Sequence, residues 1–141
     1  MAAITAVALA AALTVSWTTA NSTSAGDQDT SAIAANRNGQ VAVAWESDND
    51  VYVRLWTNAT AKYELKLASG GTQHTPDVGL DDKGNAVVVW SEDGDGNGVY
   101  NIQYRVVSTA GKVTASGRAN ANTDSDTTGK CEQDHTNRDN L

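Results

Sequence analysis

The feature that most constrains this chain is a match between two of its own segments. Residues 26–45 (GDQDTSAIAANRNGQVAVAW) align without a gap on residues 71–90 (GTQHTPDVGLDDKGNAVVVW). Six of the twenty positions are identical: Gly26/Gly71, Gln28/Gln73, Thr30/Thr75, Gly39/Gly84, Val43/Val88 and Trp45/Trp90. Roughly one identity is expected by chance, so the offset of 45 reads as an internal repeat. Ile33/Val78 and Asn36/Asp81 add chemically similar pairs. After the Trp the match resumes at an offset of 51, with residues 51–55 (VYVRL) against 102–106 (IQYRV). The second copy therefore carries six extra residues, placed at Asp93-Gly94-Asp95-Gly96-Asn97-Gly98, a composition suited to a loop that tolerates insertion. A third copy opens at Asp124-Ser125-Asp126-Thr127 but lacks the apolar strand that should follow. On this pattern the chain is expected to be a piece of a longer protein.

Each copy reads as four short strands. The first covers 31–36 or 76–81 and ends in an Asn-Gly or Lys-Gly turn. The second, 40–46 or 85–92, is apolar at alternating positions of both parities, the pattern of an interior strand covered on both faces. A third strand is expected near 51–57 or 99–108. The fourth, Tyr63-Glu64-Leu65-Lys66-Leu67, alternates apolar with charged residues as an outer strand with one wet face does; its partner at 113–116 is weaker. No stretch has the period of an amphipathic helix. The fold class expected is all-β: two four-stranded antiparallel propeller-like blades, with a small β-sandwich as the alternative.

The run Thr-Pro-Asp-Val-Gly-Leu-Asp-Asp-Lys-Gly-Asn-Ala-Val-Val-Val-Trp, followed by a Gly/Asp loop and Tyr-Arg, resembles secreted bacterial β-propeller repeats loosely related to the sialidase type. The resemblance spans about residues 26–116. It departs from an Asp-box at Val87, where that motif has an aromatic residue three positions after Gly84, and it lacks the Gly-His and Trp-Asp signatures of WD40 blades. The resemblance implies a blade architecture. Since propellers close with about 4–8 blades, it also implies either a fragment or several copies assembling into a ring.

Composition excludes some functions. Ten Lys and Arg against 17 Asp and Glu give a net charge of −7, which disfavours nucleic acid, whose phosphates need a basic stripe. One Cys excludes an intramolecular disulfide framework. Residues 2–15 (AAITAVALAAALTV) are uncharged and apolar, too short for a membrane span and the right length for a signal-peptide core, although no basic residue precedes them. Domain boundaries follow: 1–20 signal peptide, 21–68 first blade, 69–119 second blade, 120–141 truncated third copy and tail. Cleavage would leave a secreted or surface chain with no membrane span.

Candidate site residues are few. Trp45 and Trp90 hold the same place in both copies, in phase with Val, and are expected in the core. Tyr52, Arg54 and Trp56 share one face of their strand as a polar-aromatic row, a candidate ligand surface; blade-to-blade packing is the plainer use of such a face. Arg105 matches Arg54 and could join it in clamping a carboxylate, or simply brace a neighbouring blade. Asp93, Asp95 and Asn97, spaced by Gly, have the oxygen ligands and flexibility that suit Ca²⁺, but Tyr104 stands where an EF-hand loop needs Glu, and a solvated turn is the plainer reading. Neither a nucleophile constellation nor a spaced carboxylate pair is evident, so no catalytic residues are assigned and the chain is expected to be non-enzymatic. The expected function is recognition of a glycan or protein. The alternatives are a portion of a sialidase-type hydrolase whose catalytic residues lie on other blades, or a structural unit that self-assembles as a homo-oligomer.

Overall fold

The computed structural model describes residues 19–22 and 25–121. Most of the expected signal segment, the third-copy start, Cys131 and His135 lie outside the described residues. The described chain forms eight strands: β1 Gln28–Ala35, β2 Gln40–Ser47, β3 Asp50–Thr57, β4 Thr60–Ala68, β5 Thr72–Leu80, β6 Ala86–Asp93, β7 Asn101–Val107 and β8 Val113–Arg118. They make two antiparallel sheets, ordered β1-β2-β3-β4 and β5-β6-β7-β8. No helix occurs among the described residues, so none there is long and apolar enough to cross a membrane.

Local chemistry sets these hairpins. Asn36 Oδ1 accepts from the N–H of Asn38 (3.0 Å) and Gln40 (3.1 Å), and Asp81 Oδ1 accepts from Lys83 (2.9 Å) and Asn85 (2.7 Å). Such side-chain-closed turns suit Asn and Asp, whose short oxygens mimic the backbone. Gly39 and Gly84 then take φ of +73° and +84°, where a Cβ is disfavoured. The β2–β3 and β3–β4 turns are two residues each, Asp48-Asn49 and Asn58-Ala59, with φ positive at both positions as the twist of a tight hairpin requires. Gln28 and Gln73 each donate from Nε2 to the carbonyl three residues earlier, Ala25 (3.0 Å) and Gly70 (2.5 Å), closing the entry to β1 and β5.

The pairing of the two sheets coincides. Ala32 opposes Ala44 and Asp77 opposes Val89; Val43 opposes Arg54 and Val88 opposes Arg105. Bulges interrupt β1 between Asp29 and Ala32 and β5 between His74 and Asp77, with Thr30 and Thr75 inside them at φ of 38° and 48°. These bulges carry β1 and β5 further toward the N-terminus than the apolar pattern indicates, because an unpaired residue resets the face alternation.

The two sheets bury opposite faces. In the first, Ala42, Ala44, Val51, Val53 and Leu55 are sealed; in the second, Val78, Ala86, Val88, Trp90 and Val107. Val88 lies 45 residues after Val43, which is half-buried, and Val87 lies 45 after Ala42 yet is 42% exposed. The expectation that both strands are covered on both faces is thereby corrected for β6; β2 has no exposed residue, and Trp45 on its outer face is 5% exposed, although the second sheet does not cover that face. Two sheets make one seam, and each sheet has only one face in it.

At the seam β5 lies across β1, β2 and β3. Asn36 Nδ2 donates to the Asp81 carbonyl (2.8 Å), Asn38 Nδ2 donates to the Asp82 carbonyl (2.6 Å), and Arg37 pairs with Asp82. Glu46 Oε1 lies 3.1 Å from His74 Nδ1, and the Gln73 N–H reaches the Asn49 carbonyl at 3.2 Å. Asn36 and Asp81 are 45 residues apart, as are Arg37 and Asp82, so matching turns stack side by side. The stack is head-to-tail, compatible with a small β-sandwich or with part of a β-propeller.

Face inversion gives a differential prediction. Val88→Ala should cost about 2 kcal/mol or more in urea unfolding, by loss of buried methyls and a cavity, while Val43→Ala should cost roughly half of that or less. Ala42→Asp should prevent folding, whereas Val87→Thr should move the unfolding midpoint only slightly, as circular dichroism would report.

Candidate functional site

Alternation along β3 turns Tyr52, Arg54 and Trp56 away from the seam, because Val51, Val53 and Leu55 occupy it. On this outer face Tyr52 opposes Trp45 across the ladder and stacks on it, ring centroids 5.7 Å apart and planes within 11°. The Arg54 guanidinium lies 5.2 Å from the Trp56 ring centroid and 3.4 Å from Glu64 Oε2. Lys66 lies 5.3 Å from the Tyr52 ring and pairs with Asp50. Hydrogen bonds to Asp50 and Tyr52 push the Lys66 ammonium up to about 12, so it stays charged. The result is one strip of aromatic faces with two cations laid over them, where cation–π attraction fixes both rings and charges.

Chain from the N-terminal side crosses this strip. Ala20 accepts from Arg54 Nη1 (3.1 Å), and Glu64 accepts from the Ser22 N–H (2.8 Å) and Oγ (2.6 Å). Beside the strap is a groove of about 280 Å³ lined by Asn21, Thr30, Val43 and Trp45, and a smaller cleft of about 120 Å³ lined by Gln28, Trp45, Tyr52 and Glu64. Ring faces flanked by Glu, Gln and Ser suit a polyol, whose C–H face stacks while its hydroxyls bond the rim.

The structure brings together Tyr52, Arg54 and Trp56 and adds Glu64 and Lys66, which the sequence reading did not place there; Trp45, expected in the core, is buried at 5% exposed, with the Tyr52 ring stacked on it. The place of the two added residues depends on cross-strand register: Glu64 opposes Arg54 and Lys66 opposes Tyr52 because a bulge between Leu55 and Trp56 shifts the pairing that the two-residue turn starts by one residue. Arg105 does not join them. It shares the face of Val88, which points into the seam, so the first sheet stands between it and the row.

Asp93 heads the β6–β7 loop and is buried. Its Oδ1 accepts from the N–H of Gly96 (2.8 Å) and Asn97 (3.2 Å), and its Oδ2 from Gly98 (2.9 Å). Asn97 Oδ1 accepts from the Val99 N–H (2.7 Å), and its amide donates to Asp95 Oδ2 (2.9 Å). The expected Ca²⁺ oxygens are thus engaged with the loop's own donors, which a cation would have to displace. No group of three or more His, Cys, Asp or Glu poised for a metal occurs among the described residues. A further acidic cleft, missed by sequence reading, gathers Asp27, Asp29, Glu46 and Asp48 above the seam. Its charges meet only because β1 and the β2–β3 turn converge.

No protein-family model, curated protein or solved structure matches the chain.

Backbone N–H groups, first that of Gly98, hold the Asp93 carboxyl below its ordinary 3.8. A depressed folded-state pKa stabilises above the unfolded value and is lost as pH falls through the folded one. Stability should therefore fall on acidification below about pH 4, and Asp93→Asn should flatten that slope in urea midpoints measured against pH.

Proposed function

We propose that this chain is a non-enzymatic, secreted or surface recognition module built from two copies of one propeller-type blade, 21–68 and 69–119. Its binding surface for carbohydrate or protein is the outer face of the first sheet. One observation carries the reading: Tyr52 and Trp56 are aligned with Arg54 and Lys66 on a face turned away from the seam, with the buried Trp45 stacked against Tyr52. Two accessible rings, held by stacking on Trp45 and by cations, form a preorganised platform, and binding on such a platform costs little side-chain entropy. Carbohydrate is favoured as ligand by the neighbouring cleft, where Gln28 and Glu64 border the rings. The coincident pairing of the two sheets, bulges included, supports the two-copy reading.

A glycan panel, read with and without Ca²⁺, tests the module. Binding should weaken about tenfold or more in Trp56→Ala and Tyr52→Ala, the scale of losing one buried aromatic contact. It should persist in Arg105→Ala, which lies behind the seam. The absence of binding under every condition would overturn the carbohydrate reading.

A further inference from the structure

The two sheets leave matched faces open at opposite ends of the stack. Ile33 is 70% exposed, whereas Val78, at the corresponding place in the second sheet, is 8% exposed within the seam. Val87 is 42% exposed, whereas Ala42, its counterpart in the first sheet, is fully buried. Two of the three most exposed large apolar side chains thus occupy positions whose counterparts are core. Val89, Ile102, Tyr104 and Val106 continue the Val87 face, since each opposes its neighbour across the β6–β7 ladder. Val41 and Val43 continue the Ile33 face across β1–β2.

We propose that the open face of the second sheet docks the open face of the first sheet in a second copy of this chain, repeating the internal seam between molecules. The proposal goes beyond the recognition reading: it uses Ile33 on β1 and Val43 on β2, beside the Tyr52–Trp56 row on β3 that is read as the ligand surface. What selects a second copy is continuity with the seam already present. There, the face of a sheet bearing Ala42 and Val53 accepts the face bearing Val78 and Val88. The counterpart pairing sets Val87 and Tyr104 of one copy against Ile33 and Val43 of the next. Charges at the turns agree. Arg37 and Asp82 remain 78% and 58% exposed at the side chain even when paired within one chain, so each can extend the ladder to a neighbour of opposite sign. Residues 19–22 cross the first sheet's face at Arg54 and Glu64, leaving Ile33 and the β1–β2 turn exposed. Such a contact is heterologous, so it propagates into rings or filaments rather than stopping at a symmetric dimer.

Sedimentation velocity of the full chain over a range of concentrations tests this. Mass should rise with concentration beyond the monomer. Val87→Lys and Ile33→Lys should each weaken association about tenfold or more, as expected when charge replaces a buried apolar contact. Both positions are exposed within the monomer; circular dichroism checks that the fold is kept, and the milder Val87→Thr should show a smaller loss. Mixing Val87→Lys with Ile33→Lys should form a heterodimer that grows no further, because each retains the face the other lacks. A wild-type chain monomeric at every concentration overturns the proposal, as does a symmetric dimer insensitive to one of the two substitutions. Because mass and glycan binding are separate readouts, either can fail while the other holds. A monomer that still binds glycan removes the second copy and leaves the recognition face.

Discussion

Everything else in this molecule hangs on the seam between its two sheets. A four-stranded sheet of this composition cannot stand in water by itself, because it would expose a row of Val and Leu worth roughly 1.5–3 kcal/mol each when buried. The first sheet solves this with a floor of small residues, Ala32, Ala34, Ala42 and Ala44, backed by Val53 and Leu55. Onto that floor the second sheet lays Val78, Ala86 and Val88, with β5 crossing above β1 to β3. The turn ladder of Asn36, Arg37 and Asn38 against Asp81 and Asp82 fixes the rotation of one sheet on the other. Because equivalent turns meet, the faces in contact must differ. A head-to-tail stack therefore has two unlike ends, and the outer chemistry of the protein follows from which residues fall there.

Much of this was legible in the residues. The 45-residue offset marked the positions that prove to share pairing, and the Asn36/Asp81 similarity is explained by the turn each closes. The shared Gln28 and Gln73 were visible as identities, but their role at the strand entrance requires knowing where the preceding carbonyl lies. The strand starts were not legible, since Thr30 and Thr75 sit in bulges where face alternation slips by one. Nor was the covered face. Val41, Val43, Val87 and Val89 are as apolar as their neighbours, and an alternating pattern with apolar residues of both parities cannot tell which parity meets another sheet. That choice is made by stacking order, a long-range property.

The same limit shaped the site. Period-2 spacing aligns Tyr52, Arg54 and Trp56 correctly, because they belong to one strand. Glu64 and Lys66 come from the next strand, and their register depends on both the two-residue Asn58-Ala59 turn and a bulge between Leu55 and Trp56, without which Arg54 would oppose Tyr63. Arg105 shows the reverse case. Its place in the second sheet corresponds to that of Arg54, yet corresponding faces point to different surroundings in a head-to-tail pair. The loop after β6 also changes meaning in three dimensions. Its carboxylate and amide oxygens face inward to the loop's own N–H groups, with Asp93 as their hub.

The central claim is that the two sheets bury opposite faces. Methyl–methyl nuclear Overhauser contacts in the full chain measure this most directly. Contacts are expected linking Val78 on β5 to the cluster of Ala42, Ala44, Val53 and Leu55, with none from Ile33 or Val43 to Val78 or Val88. Contacts from Ile33 or Val43 to Val78 or Val88 would show the same face buried on both sheets, and would contradict it.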